Sequence, residues 1–473
     1  MSDYGPPKSI ARGVQAALIA SAVLGDMTWG RAAAESLEDA LALAYRNNPQ
    51  LNSQRAATRA TDENVGIALS NDRPKITATA TGGEQYLDTL TQSGLPKAIR
   101  QTGAIATASY GLNATQTLFN GFQNATKTRQ AESQVIAARE TLRNTEQAVL
   151  LAAATAYMNL LRDAAILDLQ RSNVSVLETT LRQTRQRYQV GEVTRTDLAQ
   201  AESSLAAGRS ALHAAESNYL TSRAAYVQVI GAEPGKLASA APVDRFSPPN
   251  LPGSLDRGAA ANPAITTAML NVDIAVEQVK IAESALYPTV SLNGNFQKSY
   301  GSPAALTTLE TLSGTVVGQV SVPIYQGGAE YATIRQAKET LGQRRLDLDT
   351  ARLAVQQNVA QSWGQLEAAK AQIDATTAQV TSAAIALDGV REEARVGQRT
   401  TLDVLNAQQA LVSARSALVT AQHDRIVASY SVLAAVGSLS PQILGLRIET
   451  YDPTVHYHQV RDAWVGVRTP DGQ

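Results

Sequence analysis

The chain contains no cysteine. That excludes disulfides, thiolate metal sites, a cysteine nucleophile and a lipid-modified N-terminal cysteine, so any hold on a membrane must come from the fold. Aromatic residues are scarce, at 5%. A chain this rich in Ala, Gln, Thr and Ser cannot fill a bulky aromatic core, but its small side chains let helices or strands lie close along extended contacts. Neither sign of charge prevails, with a formal net charge of −1, which argues against a protein that binds nucleic acid by neutralising phosphates. With 473 residues, core size is not limiting.

Long apolar runs are missing too, except near the N-terminus. Lys8 and Arg12 precede an apolar stretch from Val14 to Leu24, and Ala32-Ala33-Ala34 offers an A-x-A cleavage site before Glu35. Residues 1–34 therefore read as a signal peptide. No other segment approaches the roughly 20 apolar residues a spanning helix needs. An exported chain without such helices is periplasmic, secreted or an outer-membrane β-barrel.

What is present is an internal repeat. Asn48-Pro49 recurs as Asn262-Pro263, an offset of 214 shared by Ala68 with Ala282 and Pro74 with Pro288. Further on the offset is 206: Leu118-Phe119-Asn120-Gly121 with Ile324-Tyr325-Gln326-Gly327, Val190-Gly191 with Val396-Gly397, Asp197 with Asp403, and Arg209-Ser210-Ala211-Leu212 with Arg415-Ser416-Ala417-Leu418. Chance does not hold a register over such a span. The chain is a duplicated unit, residues 35–231 and 254–437, with a linker at 232–253 and a tail at 438–473.

Each unit opens with a helical segment, Leu37 to Asn71 or Leu255 to Leu286, that stops at a proline. Alternating stretches follow. Val290, Leu292, Gly294 and Phe296 point one way while Ser291, Asn293, Asn295 and Gln297 point the other. The predicted strands are 75–87 and 102–118 in the first unit, 288–300 and 312–325 in the second. Their length suits a tilted strand across a bilayer. Residues 122–190 and 328–396 then form proline-free helical rods of roughly 100 Å at 1.5 Å per residue. Leu160, Leu167, Val174, Leu181 and Tyr188 fall at sevens, as do Leu366, Ile373, Val380 and Leu387, and a seven-residue stripe imposes left-handed supercoiling on a neighbour. The rods should fold back near residues 191 and 397 as antiparallel hairpins.

Two strands per unit give four per chain, and four cannot close a barrel, although unpaired backbone cannot face lipid. Three chains would give an even number in the known range, and so would four. The duplicated strand–strand–hairpin unit, with V-G-E-V-T-R-T-D-L at 190–198 and V-G-Q-R-T-T-L-D-V-L at 396–405, resembles the TolC family of outer-membrane factors. The resemblance covers Ser36 to about Tyr457. It implies a mixed membrane α/β fold: a homotrimer with a twelve-stranded β-barrel, four strands per protomer, continued by a long α-helical barrel. The equatorial region would comprise 232–253 and the segment after Gly437. It also implies a passive conduit that docks on a periplasmic adaptor and an inner-membrane transporter. The run Tyr451-Asp452-Pro453, His456-Tyr457 and Trp464 resembles members that serve type I protein secretion with an ABC-type pump; small-molecule efflux is the alternative.

Thr194-x-x-Asp197 and Thr400-x-x-Asp403 each fit a helix capping box. By resemblance, Asp197 and Arg399 align with residues that pair between hairpins to hold the entrance shut, and Asp403 aligns with an acidic ring. The chain departs at Asn406, where a second acidic ring is expected, and at Ala394, where a gating tyrosine is expected. Gly191, Glu192, Val193, Thr194 and Gly397, Gln398, Arg399, Thr400 are the expected adaptor contacts.

Other constellations are thin. His456 and His458 are too few for a metal site, Gly327-Gly328 reads as a strand-to-helix corner instead of a phosphate cradle, and no nucleophile motif is present. No enzyme activity, cofactor or metal is expected. A periplasmic coiled-coil adaptor or soluble structural coiled coil would lack the whole-chain duplication and the matched strand pairs.

Overall fold

A computed structural model describes residues 35–92, 98–301 and 310–470; the expected signal peptide lies outside them. The elements are α1 (Leu37–Asn47), α2 (Pro49–Leu69), β1 (Lys75–Thr91), β2 (Ile99–Asn120), α3 (Gln123–Gln189) and α4 (Arg195–Ile230). The second half repeats the order as α5 (Leu251–Ala261), α6 (Pro263–Ser284), β3 (Thr289–Tyr300), β4 (Glu310–Ser321), α7 (Ala329–Arg395) and α8 (Thr401–Ala435). Short helices α9 (Pro441–Leu444) and α10 (Pro453–Val460) follow.

The opening segment of each unit is two helices where the sequence pattern suggested one, and the Asn-Pro pair is the reason. Proline lacks the N–H that a helix interior needs but suits a first helical position. Asn48 Oδ1 caps α2 by accepting from the amides of Gln50 and Leu51, while its Nδ2 donates to Val229 O at 2.9 Å. Asn262 does the same in α6, accepting from Ala264 and donating to Ala435 O at 2.8 Å. Each asparagine thus starts one helix and satisfies a carbonyl at the end of another, α4 or α8. The packing at Gly437 is tight as well: at φ +75° a Cβ there would lie 2.6 Å from Asn262 Cα.

Four antiparallel strands form one sheet in the order β1-β2-β3-β4. β2 and β3 come from different units, so the sheet joins the two halves. β1 and β2 exceed the expected bounds and continue as a two-stranded ribbon beyond the point where Tyr300 faces Ala108. β4 ends at Ser321, short of the expected 325, because Pro323 has no N–H to give the ladder.

α3 and α7 are 67 residues each, about 100 Å long. α3 packs on α4, α2, α6 and α8, and α7 packs on α8, α6 and α5. One stretch of α3 is long and apolar enough to cross a membrane, contrary to the expectation that only the leader would be. Half of that stretch is buried in the protomer, and its Leu150, Ala153, Ala154, Tyr157 and Leu160 belong to the main core with Leu41, Tyr226, Tyr430 and Leu433. Its apolarity serves packing at the middle of the rod. There Glu35 is tied in by five bonds: Tyr157 Oη donates to its carbonyl at 2.8 Å, Tyr226 Oη and Gly235 N donate to its carboxylate at 2.6 and 3.1 Å, and it pairs with the linker through Lys236 O and Ala238 N. Burial pushes the Tyr157 phenol up to about 12, so it remains a donor at any physiological pH.

After α9 the chain climbs along α2 as a strap. Arg55 stacks on Tyr45 at 4.4 Å and Tyr451 at 5.3 Å, His456 Nδ1 meets the buried Asp62 carboxylate at 3.1 Å, and Arg461 reaches Glu132 at 3.2 Å. His456 is thus engaged by Asp62, and His458 lies edge-on to Tyr457.

Asn262→Ala removes a cap and strands the Ala435 carbonyl, and should cost about 1–3 kcal/mol. The expected outcome is a lower midpoint for loss of helical circular dichroism in detergent, with Asn48→Ala behaving alike; an unchanged midpoint for both variants would refute the joint.

Candidate functional site: channel wall and periplasmic entrance

Residues opposite one another in the ladder share a face. One face carries Ala78, Leu112, Phe296 and Gly314 in one row and Ile76, Ala114, Gly294 and Val316 in the next. The other carries Thr77, Asn113, Asn295 and Thr315, then Thr81, Ser109, Ser299 and Thr311. Large and small alternate on the apolar face, where the Phe296 ring covers Gly314. On the polar face Asn295 Nδ2 donates to Asn113 Oδ1 at 2.5 Å and the hydroxyls of Thr81 and Ser109 lie 2.7 Å apart. Leu112, Leu292, Phe296, Val316 and Val320 are all exposed in the protomer. A sheet with an exposed apolar face and a hydrogen-bonded polar face is a piece of barrel wall between lipid and water.

Aromatic residues bound the apolar band at both ends. At the outer end Tyr110 and Tyr300 share a hydroxyl contact of 3.1 Å beside the Lys298–Glu310 pair at 3.0 Å. At the inner end Phe122, Tyr287, Ile324 and Tyr325 are exposed. From Pro288 to Tyr300 a strand covers about 40 Å, or about 30 Å along the membrane normal at a tilt near 40°, which matches a bilayer core with aromatic girdles. Phe122 holds φ +63°, the one non-glycine residue with positive φ among those described. Its counterpart in the second unit is Gly328 at φ +85°, so the first unit accepts a strained backbone to present a ring at the rim.

The helical hairpins turn at the far end. Gly191 at φ +79° closes α3, with Gly191 N donating to Tyr188 O and Glu192 N to Arg187 O. Gly397 at φ +81° closes α7, with Gly397 N to Ala394 O and Gln398 N to Glu393 O. Both are Schellman turns, which need glycine because a Cβ disfavours the left-handed region. Both expected capping boxes form. Thr194 Oγ1 accepts from Asp197 N at 3.2 Å while Thr194 N donates back to Asp197 Oδ2 at 2.9 Å; the Thr400 and Asp403 distances are 3.3 and 2.9 Å. The Thr194 hydroxyl and amide hold the Asp197 carboxyl below the usual carboxylate range, and the Thr400 amide, its hydroxyl and Arg399 do so for Asp403.

Arg399 does not reach Asp197 within the protomer; its Nε donates to Glu393 Oε2 at 2.9 Å. The first turn carries a comparable clasp of opposite polarity, Arg187 to Glu192 at 2.9 Å, although Glu192 corresponds to Gln398 and Arg399 to Val193. Sequence reasoning missed this pair of clasps, although positions 187 and 393 stand 206 apart and swap sign. It also missed the polar relay joining the hairpins, in which Arg391 donates to Gln408 at 2.9 Å and Gln408 contacts buried Asn173 on α3 at 3.4 Å. Ala394 lines a groove of about 650 Å³ between the hairpin ends, with Thr180, Arg187, Arg391 and Thr401. Asn406 is exposed on α8, and Val193 and Gln398 sit in the turns.

A sheet with lipid-facing and water-facing sides, continued by rods about 100 Å long, defines the protomer of an outer-membrane channel with a large periplasmic portion, and not an enzyme. The family model described as outer membrane efflux protein matches residues 40–232 and 255–438, one segment per unit, and the chain belongs to that family. It is 41% identical over 468 residues to outer membrane efflux protein BepC of Brucella suis, covering 96% of this chain and 98% of BepC. It is 24% identical over 398 residues to the alkaline protease secretion protein AprF of Pseudomonas aeruginosa, covering 83% and 82%. The solved CmeC outer membrane channel of Campylobacter jejuni superposes with a TM-score of 0.75 at 17% identity, covering 97% and 98%, and carries the same fold.

Because the capping carboxyls have depressed pKa values, their stabilisation is complete above the ordinary carboxylate pKa of about 4 and is lost as pH falls through the lower folded value. Thr194→Ala should weaken the start of α4 by about 1 kcal/mol, or about fivefold in local opening. Amide exchange at residues 195–198 should rise accordingly at neutral pH while exchange near Tyr226 stays unchanged; equal exchange in variant and wild type would count against the cap.

Proposed function

We propose that three copies of this chain close a twelve-stranded barrel and form the passive outer-membrane duct of a tripartite export system. The carrying observation is the polar and apolar two-faced sheet whose edges, β1 and β4, have no partner strand among the described residues of the protomer. Leu346 and Leu353, seven residues apart on α7, are 68% and 66% exposed, an apolar stripe that a second copy would cover. The threefold count follows the TolC-type resemblance.

The turns at Gly191 to Thr194 and Gly397 to Thr400 offer themselves to a periplasmic adaptor, with the groove beside Ala394 between them. Asp197, Arg399 and Asp403 would ring the entrance. Exposed ion pairs contribute about 0–1 kcal/mol each, so a ring of three makes a latch that adaptor binding can release. Ala394 in place of a tyrosine and Asn406 in place of an acid weaken that latch and its preference for cations. Energy comes from an inner-membrane pump, and the duct performs no chemistry.

Polypeptide export with an ABC-type pump is the first reading of the cargo, supported by the tail from Tyr451 to Trp464 and by the likeness to AprF. Small-molecule efflux is the second, favoured by the name of the 41% identical relative. Cross-linking the tagged protein in intact envelopes, with mass spectrometry of its partners, separates them. A detergent-stable trimer recovered with an ABC exporter and adaptor is expected; a proton-driven pump instead would move the cargo to small molecules, and a detergent-free soluble monomer would overturn the channel. In planar bilayers Arg399→Ala should raise single-channel conductance, and an unchanged trace would remove Arg399 from the latch.

A further inference from the structure

The strap follows α2 over most of its length. Tyr451 meets Arg55, His456 meets Asp62, the Val460 and Arg461 carbonyls lie against Gly66, and Ala463 O accepts from Arg73 Nη1 at 3.0 Å. From 55 to 73 that is a climb of about 27 Å at helical rise, from the middle of the rods to the base of the barrel. Arg73 stands two residues before β1. Its neighbour Asp72 accepts from Asn124 Nδ2 at 2.8 Å, and Asn124 lies two residues past Phe122, so Arg73 sits at the level of the inner aromatic rim.

There the strap carries an apolar tip that the described residues leave uncovered. Trp464 stacks on the Arg73 guanidinium at 4.4 Å yet is 70% exposed, and Val465 and Val467 are 94% and 100% exposed. The rim they adjoin already exposes Phe122, Tyr287 and Tyr325. An indole over a guanidinium at that height suits the headgroup layer, where the ring finds apolar cover, its N–H a polar acceptor, and the arginine a phosphate.

We propose that the C-terminal tip from Trp464 to Val467 is a membrane-interface anchor seated among phospholipid headgroups of the periplasmic leaflet, with Arg73 positioning the indole. It supplements the barrel in a chain that has no cysteine to lipidate. This rests on the outer-membrane placement of the sheet.

The absence of cysteine and the presence of only three tryptophans make the test direct. The full chain carrying Trp29→Phe and Trp363→Phe, leaving Trp464 as sole indole, is reconstituted in phosphatidylethanolamine and phosphatidylglycerol vesicles. With lipids brominated high on the acyl chain, Trp464 emission should fall by at least half, and iodide in the buffer should quench it weakly. Adding Arg73→Gln should lessen the bromolipid quenching. In a parallel sample a nitroxide on Val467→Cys should be reached more readily by oxygen than by a water-soluble nickel chelate. Full iodide quenching without bromolipid quenching, or oxidative disulfide linkage of Val467→Cys between copies, would overturn the proposal: the first puts the tip in water, the second against another protomer. Channel conductance in the same vesicles reports separately on the barrel, so failure of the anchor and failure of the channel are distinguishable.

Discussion

A backbone amide or carbonyl left bare in hydrocarbon costs several kcal/mol, and most of this molecule follows from that constraint. The sheet has two open edges and an apolar face, so it is complete only when other copies pair with β1 and β4. Closing it in turn fixes how the rods below must stand. Rods set in a ring need small residues and a seven-residue stripe on two flanks instead of one, which explains why α7 leaves Leu346 and Leu353 uncovered while α3, inside the protomer, buries far more of its length. The scarcity of aromatics and the wealth of alanine serve close helix walls, while Tyr157, Tyr226 and Tyr430 gather at the equator and Tyr110, Tyr300, Phe122, Tyr287 and Tyr325 at the two rims.

Duplication supplied the plan, and divergence between the halves did the rest. Both units use an asparagine to tie the start of one helix to the end of another, through the equivalent carbonyls of Val229 and Ala435. Both end their rods in a Schellman turn and a threonine–aspartate box. Yet the turn clasps have opposite polarity, Arg187 with Glu192 and Glu393 with Arg399. The strand-to-helix corner uses glycine at 328 and a strained phenylalanine at 122. Where the halves agree, the shared feature is geometric; where they part, the difference falls at a rim or a tip, where each half meets different surroundings.

Legibility divides along the same line. Local, periodic or glycine-dependent features could be read from the residues: the rods, the turns at 191 and 397, the capping boxes, the alternation of Val290 to Gln297. Features set by distant partners could not. Asn48-Pro49 was visible as a repeat landmark, but the helix break there depends on Val229 from the other end of the unit. The β1–β2 ribbon runs past the expected ends because, beyond Gly82, the residues Glu84, Gln85 and Asp88 face Ala106, Ile105 and Thr102, with no apolar–polar alternation to mark where pairing stops. The apolar stretch near Leu150 does not announce which helices will cover it. The partner of Arg399 was assigned by resemblance to Asp197, and the protomer places Glu393 closer along the same helix end. The run Tyr451-Asp452-Pro453, His456-Tyr457 and Trp464 is legible as a resemblance, whereas its path up α2 through Arg55, Asp62 and Arg73 depends on distant partners.

Stability is graded along the rods in the direction that a duct needs. At the equator Tyr157, Tyr226 and Tyr430 are fully or almost fully buried, and Glu35 is bound from three sides. Toward the tips the buried apolar set shrinks to Val174, Leu177, Ala201, Leu205 and Leu405, and what remains are exposed ion pairs, each worth little in water. The relay through Arg391, Gln408 and Asn173 lies at that boundary and joins the two hairpins by hydrogen bonds beside the packing of Leu405 on Val174, Leu177 and Leu205. Under the proposed function, a hairpin end held by so small an apolar cluster would expose little apolar area if it swung about the equator. In the proposed duct the lowest local stability would thus fall at the entrance, with the larger buried core above it next to the barrel.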